Sequence, residues 1–251
     1  MTLQSDAQLT RRERTHAATV HEIKDVARRH MAEQGSASLN LRAVARDMGM
    51  TPSALYRYFD GRDEMLTALI IDSYDDLGDA VEAAAAAIEP GSEPVAAFLT
   101  LVHVFRSWAL AHPHEWALLY GSPVPGYEAP ETTTPHKLRT TSVLLDVLIR
   151  GLERGVVHLQ QSDDGLPPRL RAAMRAVCGD DELKFSLLTA AGSAAALACW
   201  CTLLGAVAAE LFGHLPPGVD AAPEEFFDYT MVTSLAELGF DLAPWRAAAV
   251  R

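Results

Sequence analysis

The sequence predicts an all-α protein, with a small N-terminal helix-turn-helix domain ahead of a larger C-terminal helical domain. Apolar residues recur at steps of three and four, which places them on one face of a helix. No stretch shows the apolar-polar alternation that predicts a half-buried strand. Glycines and prolines divide the pattern into separate helices, and 251 residues suffice for one small and one larger domain.

The charges are distributed unevenly along the chain, whose net charge is −12. Residues 1–65 carry ten Lys and Arg against nine Asp and Glu, whereas the remainder carries eleven against 24. Phosphate would repel the acidic C-terminal part, so only the N-terminal part could approach a nucleic acid. The three cysteines are too few for a disulfide framework, and no secretory signal is visible, which indicates a cytoplasmic protein.

Residues 1–14 are polar, and Arg11, Arg12 and Arg14 lie close together. This segment predicts a flexible basic arm, which is either a frayed terminus or a contact to phosphate or the minor groove. The first helix is expected at residues 15–34, where apolar residues form a single stripe.

Residues 40–59 predict a helix-turn-helix motif. Asn40 can cap a short helix over 41–48, and Gly49 permits the positive φ that a sharp turn needs. Thr51 can cap a second helix that is expected to reach residue 59.

The second helix of the motif carries side chains that suit DNA. Small residues at its start let the backbone approach base edges, and later hydroxyls and a guanidinium can reach bases or phosphates. Tyr56 and Tyr58 lie two positions apart, so their side chains cannot easily both be buried. Arg42 and Arg46, one turn apart in the preceding helix, form either a solvated face or phosphate contacts.

Residues 15–70 as a block resemble the DNA-binding domain of the TetR family of regulators. The residues that carry the resemblance are Leu41, Val44, Ala45, Gly49, Tyr56, Phe59 and residues 62–66. The resemblance implies a three-helix DNA-binding domain at 15–62 and a helical ligand-binding and dimerisation domain at 63–251. It implies a DNA side formed by the second helix, with a cation at position 62 beside a phosphate. The candidate DNA contacts are Arg42, Arg46, Thr51, Ser53, Ala54, Tyr56, Arg57, Tyr58 and Arg62.

Further helices are predicted at about 62–88, 95–111, 114–120, 136–159, 167–178, 181–212 and 223–239. The segment 114–127 resembles a C-terminal domain type seen in some actinobacterial TetR regulators. Within it, Gly-Ser-Pro-Val-Pro-Gly predicts a rigid, turn-rich loop.

Several aromatic residues gather around this segment and form either ordinary core or the wall of a small-molecule pocket between helices. The candidate pocket residues are Phe98, Phe105, Trp108, Trp116, Tyr120 and Tyr127. His103, His112 and His114 lack a ligand spacing, and Cys199 and Cys201 diverge on a helix. Neither a metal nor a cofactor is expected.

The uncharged run from Phe185 to Ala209 covers 25 positions, which could span a bilayer. Small residues fill it and acidic residues flank it, so a buried interface helix is favoured. Helices 181–212 and 223–239 are therefore predicted to form a four-helix homodimer interface. The interface residues expected are Ala191, Ala195, Ala198, Gly205, Phe226, Phe227, Met231 and Leu235.

The function that these features predict is a transcriptional repressor, which binds a palindromic operator as a homodimer and is released by a small molecule. The alternative is an all-helical enzyme or a ligand-binding protein without a DNA role. Against an enzyme, neither a nucleophile-base-acid set nor a phosphate-binding loop is visible. A membrane protein would rest on residues 185–209 alone.

Overall fold

The computed structural model describes residues 10–89, 91–159, 163–178 and 188–243, with residues 177 and 178 described by their backbone only. Within these ranges the α-helices are α1 (Arg11–Gln34), α2 (Leu41–Asp47), α3 (Pro52–Leu55), α4 (Arg62–Ala87), α5 (Pro94–Ala111), α6 (Pro113–Tyr120), α7 (Thr134–Glu153), α8 (Pro168–Cys178), α9 (Ala190–Leu211) and α10 (Pro223–Glu237). The predicted all-α class is confirmed. In the described residues, strand-like pairing is limited to one bridge between Val157 and Phe240.

Helix α1 begins four residues earlier than predicted. The Thr10 hydroxyl accepts from the Glu13 backbone N–H, and the Glu13 carboxylate accepts from the Thr10 backbone N–H at 2.7 Å. This capping box satisfies two N–H groups that a helix start leaves unpaired. Arg11, Arg12 and Arg14 therefore lie on a helix and not on a flexible arm, while residues 1–9 lie outside the described residues.

Three other boundaries also differ from the predictions. Helix α3 stops at Leu55, and the chain continues to Phe59 as a turn. Helix α7 stops at Glu153 because the following segment turns back to form the Val157 bridge. Helix α9 begins at Ala190, where the Thr189 hydroxyl caps it. The start predicted at 181 falls on residues 181–187, outside the described residues.

The chain divides into two compact units. The first comprises Met1–Ser73 and His114–Thr133, and the second comprises Tyr74–Pro113 and Thr134–Arg251. The first unit thus includes the beginning of α4 and all of α6 after Pro113, residues that the predicted boundary at 62 assigns to the C-terminal domain.

The core of the first unit lies where α1, α2, α3 and the start of α4 meet. Ile23, Val44 and Leu66 are among its fully buried members. Val124, from the turn-rich loop, belongs to the same cluster. The Lys24 ammonium meets the Asp72 carboxylate at 2.7 Å and ties α1 to α4.

The second unit is built around α5, whose Leu101 and Phe105 side chains are fully buried. Arg106 of α5 binds Glu210 of α9 through two hydrogen bonds of 2.7 and 2.6 Å. This hydrogen bonding raises the pKa of Arg106. Arg139 of α7 forms ion pairs with three carboxylates of α4, those of Asp75, Asp79 and Glu82.

Two helices in the described part of the chain are long and apolar enough to cross a membrane, by length and composition alone. In α5 most of the apolar stretch is buried inside the protein (61%). In α9 only 17% of it is buried, so this helix presents an apolar surface that the subunit itself does not cover.

Candidate nucleic-acid interface and ligand cavity

The helix-turn-helix forms through local signals that the sequence displays. The Asn40 side chain accepts from the Arg42 N–H at 2.9 Å and caps α2. Gly49 adopts a φ of +65°, a backbone conformation that L side chains rarely adopt. Thr51 then accepts from the Ala54 N–H at 3.3 Å and caps α3. The start of α3 is therefore held in place by its own residues and faces solvent.

The candidate DNA contacts lie mainly on the solvent side of this motif. The exposed members are Arg42, Arg46, Thr51, Ser53, Tyr56 and Arg57, and the half-buried members are Ala54, Tyr58 and Arg62. Tyr56 is 43% exposed although it is a large aromatic residue. The structure thus brings most of the predicted residues to one exposed motif.

Two members of the set also have partners within the first unit. The Tyr58 ring stacks on His16 of α1, with ring centroids 4.9 Å apart. The Arg62 guanidinium donates to the Ala37 carbonyl at 3.1 Å, which links the start of α4 to the loop after α1. These contacts give Tyr58 and Arg62 a structural role in addition to any role in binding.

A cationic cleft of about 720 Å³ opens between the start of α1 and the end of the motif. The side chains that line it come from Arg11, Arg12, Thr15, His16, Arg57 and Tyr58. Thr15 and His16 were not predicted as site residues, because the neighbouring arginines at 11, 12 and 14 were expected to lie on a flexible arm. The Thr-x-x-Glu capping signal at residues 10–13 could have extended α1 and brought this face into view.

An acidic side chain interrupts the cationic surface near α2. The Asp47 carboxylate receives a hydrogen bond from His30 at 2.7 Å and lies 3.4 Å from the Arg46 Nε. The hydrogen bond from His30, more than the proximity of Arg46, lowers the pKa of Asp47. Asp47 therefore remains ionised and offsets part of the Arg46 charge.

The six aromatic residues of the predicted pocket are divided between the two units. Trp116, Tyr120 and Tyr127 belong to the first unit, where the Tyr127 hydroxyl hydrogen-bonds Thr67 at 2.9 Å. Phe98, Phe105 and Trp108 belong to the second unit. Of the six, Phe98 alone is found among the described residues that line the cavity of that unit.

That cavity, in the second unit, has a volume of about 310 Å³ and lies between α5, α7, α8 and α9. Its wall is largely apolar, with hydroxyls from Thr141, Ser142 and Ser193 and an ammonium group from Lys137. Most of its residues come from α7 and α9, and the aliphatic ones among them resemble ordinary core in the sequence. Aromatic content was therefore a poor guide to its position.

Two of the three histidines considered as metal ligands, His103 and His112, have other partners. His103 lies 2.6 Å from the Asp228 carboxylate, and the His112 Nδ1 lies 3.0 Å from the Trp108 carbonyl. In the described ranges, no three His, Cys, Asp or Glu side chains gather as a metal site would require.

The predicted interface residues separate into two groups. Phe227, Met231 and Leu235 of α10 are buried inside the subunit, so their predicted place in a dimer interface is wrong. Helix α10 is apolar on more than one face, and the sequence pattern did not show which face turns inward. Phe226 is 39% exposed and Tyr229, which the prediction omitted, is 70% exposed.

Comparisons with known proteins agree with this architecture. A family model described as bacterial regulatory proteins, tetR family, matches residues 23–69. A second, described as a tetracyclin repressor-like C-terminal domain, matches residues 98–234. HTH-type transcriptional regulators of Mycobacterium bovis and Mycobacterium tuberculosis are each 35% identical over 217 residues, which cover 82% of this chain and 86% of the relative.

Solved structures show the same arrangement of helices. The crystal structure of the regulatory protein SCO4313 is 32% identical, with a TM-score of 0.72, and the match covers 90% of this chain and 100% of the other. A tetR-family regulatory protein from Rhodococcus RHA1 has a TM-score of 0.58 at 17% identity, covering 88% of this chain and 97% of the other. The second likeness concerns the fold alone.

Proposed function

This chain belongs to the TetR family of bacterial transcriptional regulators, and from that premise we propose that it represses transcription from a palindromic operator. In this proposal it binds the operator as a homodimer, and a small molecule releases it. The observation that carries the proposal is the exposed, doubly capped helix-turn-helix, beside which lies a cleft lined by three arginines.

The start of α3 suits contacts with base edges. The exposed side chains of Thr51 and Ser53 are short, so the helix can enter the major groove closely. Tyr56 and Arg57 follow on the exposed surface, and their hydroxyl and guanidinium groups can reach a base or a phosphate. Arg42 and Arg46 are assigned to phosphates.

The cationic cleft supports a second set of phosphate contacts. Arg11 and Arg12 line it from α1, and Arg57 lines it from the far side. Three guanidiniums around one open cleft favour the binding of an anion such as the DNA backbone. The acidic remainder of the chain would be repelled by the same backbone, so the charge distribution orients the protein on DNA.

The exposed apolar faces of α9 and α10 support dimerisation. On α9, Ala198, Cys201 and Gly205 are exposed at spacings of three and four, which lets a second helix approach closely. Phe226 and Tyr229 of α10 extend the exposed apolar surface. A second copy of this chain would cover it and would present two helix-turn-helix motifs to a two-fold symmetric site.

The cavity of the second unit supports ligand control. Helix α7 lines the cavity and is bound to α4 through Arg139, and the opposite end of α4 belongs to the first unit. A ligand that shifts α7 would shift α4, and thereby the spacing of the two DNA-binding domains. We place this activity in the cytoplasm and assign the chain no catalytic role.

The test is selection of bound sequences from a random DNA pool, followed by affinity measurements on the selected site. Arg57→Ala should weaken binding and reduce the slope of log affinity against log salt by about 1 if Arg57 contacts a phosphate. The matched control is Arg169→Ala, which removes an exposed arginine of the second unit. Recovery of no palindromic site would refute the operator proposal, and equal losses in both variants would refute the DNA face.

Dimerisation has its own test. Tyr229→Asp should convert the dimer to monomer in analytical ultracentrifugation, because a carboxylate would be buried unpaired in the interface. The control is Tyr56→Ala, which should remain a dimer. A wild-type protein that sediments as a monomer, or that needs detergent to stay in solution, would refute the dimer and favour a membrane contact for α9.

A further inference from the structure

We propose that the cavity of the second unit binds a monoanionic amphiphile such as a medium-chain carboxylate. Its charged head would lie at Lys137 and its apolar tail would extend toward Leu148. The inference rests on the proposed ligand control and deepens it by naming the chemical class of the ligand.

The polarity of the cavity changes steadily along α7. Lys137, Thr141, Leu144 and Leu148 all line it, and their spacing of four, three and four places them on one face of the helix. Over the eleven steps from Lys137 to Leu148 the helix rises about 16 Å. Lys137 is exposed at one end, whereas Leu148 is 2% exposed at the other. The wall therefore matches a ligand with one charged end and one apolar end.

Within the described part of the chain, no carboxylate forms an ion pair with the Lys137 ammonium. Arg106, Arg139 and Arg175 of the same unit pair with carboxylates, but Lys137 has no ion pair among the residues that the structure describes. Its aliphatic stem can lie along the apolar wall while the ammonium stays at the mouth. In a strongly acidic unit, such a lysine attracts an anionic head group.

The remaining wall limits the ligand to a small molecule with a single negative charge. The cavity of about 310 Å³ lies near the lower end of the range for ligand pockets, roughly 300–1,000 Å³. Phe98, Met174 and Trp200 add apolar surface, and Lys137 is the one charged group among the described lining residues. A tail in this environment gains affinity with each methylene, whereas a second charge would find no partner.

Calorimetric titration of the full-length protein with decanoate, below its micelle concentration, tests the proposal. Decanoate should bind once per chain, roughly tenfold more tightly than octanoate because of its two additional methylenes. Decanol and decylamine should bind more weakly than decanoate. Lys137→Met should weaken decanoate binding roughly threefold to tenfold, since the ammonium is exposed, and should leave decanol unchanged. Lys137→Arg should restore the preference for the carboxylate.

A cavity-filling variant tests the location. Ala196 lines the cavity and Ala173 is exposed on α8, so Ala196→Phe should abolish decanoate binding and Ala173→Phe should not. Circular dichroism checks that both variants fold. If Ala196→Phe does not fold, Lys137→Met still tests the proposal.

Three results would overturn this ligand class: no decanoate binding, equal binding of decylamine, or an unchanged affinity in Lys137→Met. None of these results would count against the proposal that the protein binds an operator. Conversely, decanoate that binds but fails to release a selected operator would refute ligand control and leave the binding class standing.

Discussion

The buried ion pair between Arg106 and Glu210 gives a sharp test of how α9 is held in the second unit. Two hydrogen bonds of 2.7 and 2.6 Å join the groups, whose side chains are 10% and 14% exposed. Arg106→Met would leave the Glu210 carboxylate buried without its cation, which typically costs about 3–5 kcal/mol. Because both groups keep slight contact with solvent, we expect a loss of about 3 kcal/mol.

Urea unfolding at one fixed protein concentration measures this loss, since association would otherwise shift the apparent stability. Glu210→Leu should cost about as much as Arg106→Met, because the guanidinium is then unpaired. The double variant should recover to within about 1 kcal/mol of wild type, since neither charge remains buried. Arg150→Met, at an exposed site on α7, is the control. Additive losses in the double variant would refute the reasoning.

Further predictions concern a tight turn, a titrating side chain and a charge cluster. Gly239→Ala should cost about 2 kcal/mol or more in urea unfolding, because φ is +97° and a Cβ would lie 2.4 Å from the His158 carbonyl oxygen. The hydrogen bond from His30 lowers the pKa of Asp47 in the folded protein. The ionised Asp47 carboxylate therefore stabilises the fold at pH values above the pKa of an unfolded aspartate, and this stabilisation is lost as the pH falls through the pKa of the folded protein. The difference in Tm between wild type and Asp47→Asn should therefore shrink in acid. Arg139→Met should cost about 1 kcal/mol in low salt and less in high salt, because it frees three mutually repelling carboxylates of α4.

Each of these predictions has a control and a contrary outcome. Gly218→Ala is the control for the close contact, since its φ is +96° but a Cβ there meets nothing within 4 Å, so it should cost less than Gly239→Ala. A Tm difference for Asp47→Asn that is constant with pH would contradict the stabilising hydrogen bond. An Arg139→Met penalty that is the same in low and high salt would show that packing, and not charge, determines its role.

The helix-turn-helix could be predicted because its signals are local. Asn40, Gly49 and Thr51 each act on a backbone group within a few residues, and the structure confirms all three. The start of α1 was not predicted, although Thr10 and Glu13 have the residue types and the spacing of a capping box. The cluster of basic residues just after Thr10 is also typical of a flexible arm, and the two signals predict opposite structures for the same segment.

The cavity of the second unit could not be predicted because it depends on which helices meet. Phe98 and Trp116 are close in sequence, but they belong to different units. The actual wall combines residues of α5 and α7 with residues of α9 about a hundred positions from Phe98, and no periodicity records that pairing. Helix α10 presents the same difficulty, because it has apolar residues on several faces. Only the structure shows that the face with Phe227 and Met231 is the buried one.

Helix α9 has one face that lines the cavity and another that is exposed on the subunit surface. Trp200 and Leu203 line the cavity, while Cys201 and Gly205 remain uncovered. A substitution that reshapes the cavity from α9 would also disturb the uncovered face, so evolution is expected to change the proposed ligand preference mainly through α7. In a set of diverging homologues, variation should accumulate around Thr141 and Leu145, and the cavity side of α9 should diverge more slowly.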